Sequence, residues 1–278
     1  MFKFVKRRVA RRCPDLVVAY HAYRQSQGMR RHGTRRTPYG FHFSGHEGMQ
    51  DGTFEPEECA VLQRHLENAS VFVDVGANAG FYVCLARGMG KHVIAVEPQR
   101  RNLDCLYSNL VANGWSDVEV FPVGIGEQPG LATLYGGGTS ASLIARWAGN
   151  SEIWRQPVPI STLDVLLNGR FRDHRIVIKV DVEGAEYDVL RGASETLARS
   201  PNPVWLLEIC LTEHHPAGLN PHFDEVFRAF WVAGYTARTI GTDSRVVSSG
   251  DIERWVRNRK RDFGHVSYVF EKAGTQEG

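Results

Sequence analysis

Short β-branched runs alternate with longer amphipathic stretches from residue 71 onward. Residues 71–75, 92–96, 118–123, 176–181 and 204–209 are apolar runs of strand length, most of them closed by Gly, Pro or an acid. Residues 81–89 and 99–113 carry apolar side chains at helical spacing, and an Asn-Gly pair ends the second stretch. This alternation predicts a parallel sheet with helices on both faces.

Two later apolar runs complete the predicted sheet. Residues 235–240 and 266–270 suit an antiparallel pair that finishes it. Residues 131–149 contain three consecutive glycines and predict a hairpin or mobile loop between the third and fourth strands. Because crossovers between parallel strands are right-handed, we predict an α/β fold with a Rossmann-like, doubly wound, mostly parallel seven-stranded sheet and an antiparallel C-terminal strand pair.

The charge is divided unevenly along the 278 residues. The formal net charge is +2, but residues 1–36 hold eleven Lys and Arg and a single acid, Asp15, whereas the rest of the chain is net acidic. We therefore divide the chain into a basic N-terminal arm or helix (residues 1–38), a catalytic domain (39–272) and a frayed tail (273–278). Three interpretations of the arm stay open: a helix docked on the core, a contact with an anionic membrane surface or acidic glycan, and RNA binding.

Composition excludes several classes of protein. With 42% hydrophobic and 23% charged residues the chain is expected to fold rather than to be disordered. The five cysteines are scattered without a C-x-x-C pair, which is typical of thiols in a reducing compartment. There is neither a signal-peptide pattern nor an apolar run of the roughly 18–20 residues that a membrane span needs. A cytoplasmic protein is expected.

The end of the first predicted strand has the sequence of a cofactor loop. Glycines in residues 74–80 permit a sharp turn close to a ligand, and Glu97 at the end of the second strand is placed to accept both hydroxyls of a ribose. Position 78 is Asn where a dinucleotide site would have its second Gly, so S-adenosylmethionine, which has no phosphate, suits the loop better. The predicted cofactor-binding residues are Asp74, Gly76, Ala77, Asn78, Gly80 and Glu97.

A second group of acids follows the fourth predicted strand. Asp181 and Glu183 stand in the sequence Asp-Val-Glu-Gly, and like charges this close raise each other's pKa, which is one way to make a general base. Glu186 and Asp188 are interpreted as acids of a first helical turn. Lys179 either emerges at the edge of the sheet or pairs with one of these acids.

Taken together, five segments resemble the motif series of the FkbM-type S-adenosylmethionine-dependent methyltransferases: residues 74–80, 95–98, 161–164, 178–186 and 206–209. The resemblance extends over about residues 39–270, including 52–58. It implies a class I methyltransferase fold, S-adenosylmethionine as cofactor, and O-methylation of a hydroxyl on a sugar, glycan or natural product. By the same resemblance Asp181 and Glu183 lie beside the transferred methyl group, and members of the family often carry a His soon after the segment that matches 206–209.

Several assignments stay open at the sequence level. His214 is a further candidate base, although it stands later than the His of the family pattern, and with His215 it can equally be a polar loop pair. No zinc spacing is present and no metal is predicted, while Asp181, Glu183 and Glu208 remain an alternative set of oxygen ligands for Mg²⁺. The alternative function is an RNA methyltransferase that holds RNA with the basic arm. The acceptor, the methylated atom and the oligomeric state cannot be read from the sequence.

Overall fold

The structure is a computed structural model that describes residues 33–241 and 243–272. The first 32 residues of the predicted arm and the predicted tail 273–278 lie outside the described residues. The helices and strands are, in chain order, β1 (Arg35–Arg36), β2 (His42–Phe43), α1 (Glu47–Asp51), α2 (Pro56–Glu67), β3 (Val71–Val75), α3 (Phe81–Gly88), β4 (His92–Val96), α4 (Arg100–Ala112), β5 (Glu119–Phe121), β6 (Gly124–Ile125), β7 (Gly130–Tyr135), β8 (Arg155–Ser161), α5 (Leu163–Leu167), β9 (Ile176–Val180), α6 (Glu186–Arg191), α7 (Ser194–Leu197), β10 (Val204–Glu208), α8 (Phe223–Val232), β11 (Thr236–Thr239), α9 (Ser249–Asn258) and β12 (Ser267–Glu271).

The main sheet has seven strands in the order β11-β12-β10-β9-β3-β4-β5. Its five strands from β10 to β5 pair in parallel, and β12 pairs antiparallel with both β10 and β11. The strand order reverses at β3, since β4 lies on one side of it and β9 on the other. The predicted Rossmann-like fold and its antiparallel C-terminal pair are thus confirmed.

The central strands are buried on both faces, which explains their continuous apolar sequences. Val71, Val73 and Val75 of β3 belong to one apolar cluster, whereas Phe72 belongs to the other. The first cluster lies under α8 and the second under α3. Because side chains alternate between the faces of a strand, Asp74 faces the same side as Phe72 and is buried with it.

A smaller sheet follows β5 along the chain, and its strands lie in the order β6-β8-β7. Residues 131–149, predicted as a hairpin or mobile loop, contain most of β7 and part of the connection to its antiparallel partner β8. Two short 3₁₀ turns, Gly138–Ser140 and Trp147–Gly149, lie in this connection. The return strand β8 was not predicted, because Pro157 and Pro159 disfavour a strand. The prolines are tolerated since β6 pairs only with Ile160 and Ser161 and leaves that edge beside them unpaired.

Three features bear on the sequence predictions outside the site. The pair β1 and β2 joins Arg35 and Arg36, assigned to the arm, to residues 42 and 43 of the domain. Within residues 33–241 and 243–272, no helix combines the length and the apolar character needed to cross a membrane. Cys59, Cys84 and Cys210 are buried thiols.

Candidate active site

The loop after β3 is tied to the end of the neighbouring strand. The backbone N–H groups of Gly76 and Ala77 both donate to the carbonyl oxygen of Val96, at 2.9 and 3.0 Å. Gly76, Asn78 and Gly80 have φ angles of 90°, 50° and 83°, in the left-handed region that favours Gly and tolerates Asn. The pattern of glycines in this segment therefore follows from the backbone conformation that the turn requires.

A steric contact is the second constraint that requires Gly at position 76. A Cβ atom at this position would lie 1.8 Å from the carbonyl oxygen of Asp181. The N–H of Asp181 in turn donates to the carbonyl of Val75 at 2.9 Å. The loops that follow β3 and β9 are therefore packed backbone against backbone, which brings the predicted cofactor residues next to the predicted catalytic acids.

Glu97 closes the loop from the side of β4. It is 5% exposed, its Oε2 accepts from the N–H of Asn78 at 2.9 Å, and its Oε1 accepts from the N–H of Gln99 at 2.7 Å. Burial raises the pKa of this carboxyl to about 7, although both hydrogen bonds oppose the shift. The two N–H donors fix the orientation of the carboxylate.

Gly76, Asn78 and Glu97 line a cleft that is partly open to solvent. Its polar residues include Asn78, Glu97, Asn102, Asp181 and Glu183, and its apolar residues come from the ends of β3 and β4 and from the small sheet. None of the described residues that line the cleft is Lys or Arg. A nucleoside with an amino-acid tail fits such a lining.

Not every predicted cofactor residue reaches the cleft. Gly76, Asn78 and Glu97 line it, whereas Ala77 and Gly80 shape the loop without lining it. Asp74 is only 1% exposed, and its Oδ2 has no hydrogen-bond partner among the described residues. Burial raises the pKa of Asp74 to about 7 against the opposing effect of the Lys179 ammonium, so the acid lies behind the loop, toward that lysine.

Of the two predicted catalytic acids, Glu183 is held by a residue that the sequence did not indicate. The indole N–H of Trp147 donates to Oε2 of Glu183 at 2.5 Å, and the hydroxyl of Ser142 donates to its backbone carbonyl at 2.6 Å. Glu183 has a φ of 54°, and Gly184 follows with a φ of 102°. Burial first, and then the charge of Asp181, raise the pKa of Glu183 to about 7. A carboxylate that titrates near neutrality can take up a proton at physiological pH.

Asp181 is held from the opposite direction. Lys179, which is 5% exposed, donates from Nζ to Oδ2 of Asp181 at 3.0 Å. Of the two alternatives left open by the sequence, pairing with an acid is therefore the one observed. The side chain of Asp181 stays 29% exposed and lines the cleft together with Glu183.

The following helix starts with the acid expected in its first turn. Glu186 is the first residue of α6, but its side chain is fully buried rather than solvated, and its Oε1 accepts from the N–H of Gly184 at 2.9 Å. Burial raises the pKa of Glu186 to about 8. This residue therefore supports the turn that carries Glu183 and does not reach the cleft.

His214 lies near the predicted catalytic acids, next to Trp147. Its ring centre is 6.1 Å from that of Trp147, its carbonyl accepts from the N–H of Ala148 at 2.8 Å, and its φ is 65°. The ring of His215 is 5.9 Å from Trp147. Trp147 thus contacts both the histidine pair and Glu183. Sequence reasoning missed this tryptophan because its position depends on the folding of the connection between β7 and β8.

The acids at this edge do not form a metal-binding cluster. Within the part of the chain that the structure describes, no three His, Cys, Asp or Glu side chains are grouped so that they could hold a metal ion. Asp181, Glu183 and Glu208 are therefore not arranged as the alternative Mg²⁺ ligand set would require.

The family of the chain follows from its sequence. A family model described as the methyltransferase FkbM domain matches residues 74–237, which include every candidate site residue named above. The chain belongs to the FkbM methyltransferase family. Its cofactor is S-adenosylmethionine, as the resemblance implied.

Solved structures similar to this FkbM domain are distant in sequence. An O-methyltransferase from Bacillus cereus in complex with SAH is 14% identical, with a TM-score of 0.43 over 78% of this chain and 80% of that one. A putative O-methyltransferase from Klebsiella pneumoniae is 12% identical, with a TM-score of 0.42 over 77% of each chain. Fibrillarin from Aeropyrum pernix with bound S-adenosyl-L-methionine is 10% identical, with a TM-score of 0.41 over 77% of this chain and 73% of that one. No curated protein matches the chain.

Proposed function

We propose that this FkbM methyltransferase methylates a hydroxyl oxygen of a sugar, glycan or natural-product acceptor. The observation that carries the proposal is the pair of carboxylates, Asp181 and Glu183, at the cleft wall beside the cofactor loop. An alcohol is a weak nucleophile until its proton is removed, so a site for O-methylation needs a base within reach of the hydroxyl. The histidine pair next to Trp147 is the second candidate base.

The cofactor residues divide into a carboxylate and a loop. Glu97 receives the ribose hydroxyls, and Gly76 and Asn78 line the remainder of the nucleoside position. When bound, S-adenosylmethionine supplies an electrophilic methyl group. The protein positions the acceptor oxygen in line with it, which makes the transfer effectively unimolecular.

The two acids have different tasks in this proposal. Glu183 takes the hydroxyl proton, because its pKa of about 7 leaves it ionised in a large fraction of molecules at neutral pH yet basic enough to accept a proton. Asp181, bonded to Lys179, accepts a hydrogen bond from the acceptor and orients it. Trp147 holds the Glu183 carboxylate in the position from which it reaches the hydroxyl.

The test is transfer of a labelled methyl group. The protein is incubated with methyl-labelled S-adenosylmethionine and separate pools of glycans, small-molecule alcohols, lipids and RNA, and the labelled product is tested for the alkali resistance of a methyl ether. We expect label in a hydroxylated glycan or small molecule. Label only in RNA would replace the proposal by the alternative of an RNA methyltransferase, in which the basic arm holds the substrate.

Variants then test the roles of the acids. Asp181→Asn and Glu183→Gln are each expected to lower turnover by roughly 100-fold or more while cofactor binding persists. Glu253→Gln, an exposed acid on α9, is the matched control and is expected to retain the wild-type rate. Full turnover in both site variants contradicts the assignment of the acids.

Two coarser expectations are also part of the proposal. We propose that residues 39–272 act as the catalytic domain, with the arm and tail outside it, and that the protein works in the cytoplasm. The buried thiols Cys59, Cys84 and Cys210 support a reducing compartment.

A further inference from the structure

A buried ammonium lies directly behind the acid pair, and the proposed proton transfer does not use it. Lys179 is on β9, and its Nζ lies 4.7 Å from the ring centre of Tyr82 and 3.0 Å from Oδ2 of Asp181. Most lysines are exposed, and a buried ammonium is costly unless it is paired. The burial of this lysine therefore requires an explanation from its neighbours.

Carboxylates face the lysine from several elements. Asp74 lies on β3, Glu55 immediately before α2 and Glu58 within it, Asp181 after β9, and Glu208 at the end of β10. Burial alone would lower the pKa of Lys179, but Asp181, Asp74, Glu58 and Glu55 together outweigh burial and raise it well above its usual value. Lys179 is therefore a permanent cation in this surrounding.

Only one of these acids is bonded to the ammonium. Glu55 accepts from the hydroxyl of Tyr82 at 2.5 Å, and Glu58 accepts from the hydroxyl of Ser267 at 2.5 Å. Burial raises the pKa of Glu208 to about 9 and that of Asp74 to about 7, so these two acids avoid full ionisation near neutrality. The direct ion pair of Lys179 is the one with Asp181.

The two acids at the cleft are thus unequal. Asp181 has a cation at 3.0 Å, whereas Glu183 has a neutral indole N–H as its donor. A nearby cation stabilises an ionised carboxylate, and an ionised neighbour in turn raises the pKa of the next one. In agreement with this, the charge of Asp181 contributes to raising the pKa of Glu183 to about 7.

We propose that Lys179 is a positioning residue whose ion pair holds the carboxylate of Asp181 as a hydrogen-bond acceptor, so that Glu183, and not Asp181, carries the proton taken from the acceptor. This inference rests on the proposed function. The aliphatic part of the lysine is held by β9 and its ammonium by the ring of Tyr82, so the charge has a fixed place behind Asp181. The Asp181 carboxylate, at the wall of the cleft, thereby stays a hydrogen-bond acceptor throughout the reaction.

Infrared spectroscopy of protonated carboxyl groups tests the inference without an acceptor. Lys179→Met removes the charge at nearly constant length, and Lys179→Arg retains it. The wild type already holds protonated carboxyls at neutral pH, such as Glu208 and Glu186. We expect Lys179→Met to show one further protonated carboxyl band beyond those of the wild type and of Lys179→Arg, and this band to disappear in the double variant Lys179→Met/Asp181→Asn. Absence of the new band overturns the inference. So does a band that persists in the double variant, because the proton then sits on another acid such as Asp74.

A second measurement covers the case in which Lys179→Met does not fold. In the wild-type protein labelled with ¹³C at the Asp and Glu carboxyl carbons, NMR titration follows each acid, and the Asp181→Asn and Glu183→Gln variants assign the two signals. We expect the Glu183 signal to titrate near neutrality and the Asp181 signal not to take up that proton. The reverse order overturns the inference.

Activity distinguishes this inference from the proposed function once an acceptor is known. We expect Lys179→Met to lower kcat roughly 10- to 100-fold, as loss of a residue that orients a functional group does, with little change in cofactor affinity, and to alter the pH profile of kcat. A fully active Glu183→Gln variant refutes the proposed function itself. If Glu183→Gln is inactive but Lys179→Met retains the wild-type pH profile, only the role of the lysine fails.

Discussion

Replacing Gly76 by Ala should disrupt the contact that joins the cofactor loop to the catalytic loop. The φ of Gly76 is 90°, and an L-residue in left-handed backbone costs about 1–2 kcal/mol. The new Cβ would also lie 1.8 Å from the carbonyl oxygen of Asp181, a backbone atom on the neighbouring loop. Overpacking of this kind costs about 1–3 kcal/mol more, so we expect a total loss of about 2–5 kcal/mol in the free energy of unfolding.

The chain contains a matched control for the conformational part. Gly90 has a φ of 76°, and no atom lies within 4 Å of a Cβ placed there. Gly90→Ala should therefore lose only the roughly 1–2 kcal/mol of backbone strain. The difference between the two variants isolates the clash with Asp181.

Urea unfolding of the two variants and the wild type measures this difference directly. Gly76→Ala should unfold at lower urea than Gly90→Ala and should also bind S-adenosylmethionine more weakly, because Asp181 and the loop of Gly76 line the same cleft. Equal losses of stability in the two variants, or unchanged cofactor affinity in Gly76→Ala, would refute the close packing of the two loops.

Three further variants test the electrostatics of the site. Folding raises the pKa of Glu186 to about 8, so the native state holds its proton to higher pH than the unfolded state, and stability falls as pH rises from about 4.5 to 8. Glu186→Gln should flatten this fall and add roughly 2–4 kcal/mol to the free energy of unfolding above pH 8. An unchanged slope of thermal stability against pH contradicts this. Trp147→Phe removes the N–H that lowers the pKa of Glu183, so the midpoint of the rise in methyl-transfer rate with pH should move to higher pH. An unchanged midpoint argues against Glu183 as the base. His214→Ala should lower transfer less than about tenfold, because the ring contacts Trp147 rather than the acids; a loss as large as that of Glu183→Gln would make the histidine the base.

The sequence predicted the parts of the site that depend on local pattern. Strand β3 and the loop after it could be recognised because the apolar run 71–75 ends in a Gly-rich segment, and the positions of Glu97 and Asp181 follow from the ends of their strands. In a parallel sheet these ends share one edge, so the convergence of the three segments required only the correct fold. The family resemblance supplied the cofactor.

The remaining features depend on tertiary contacts that leave no mark in the sequence pattern. Trp147 reaches Glu183 only because the connection between β7 and β8 folds back across the cleft. The alternation of β3 places Asp74, a predicted cofactor-binding residue, on the side of Phe72, where it lies near Lys179. Strand β8 was not predicted because its two prolines disfavour a strand. They are tolerated because the edge of β8 beside them is unpaired, which the sequence does not show.

Calorimetric titration with S-adenosylmethionine tests the central claim, that the acidic edge of the sheet binds the cofactor of a methyltransferase. The wild type and the control Glu253→Gln should bind one molecule per chain with equal affinity. Glu97→Ala should bind at least about tenfold more weakly, since it loses charge-assisted hydrogen bonds worth roughly 1.5–3 kcal/mol. Unchanged affinity in Glu97→Ala, or no binding by the wild type, would contradict the account.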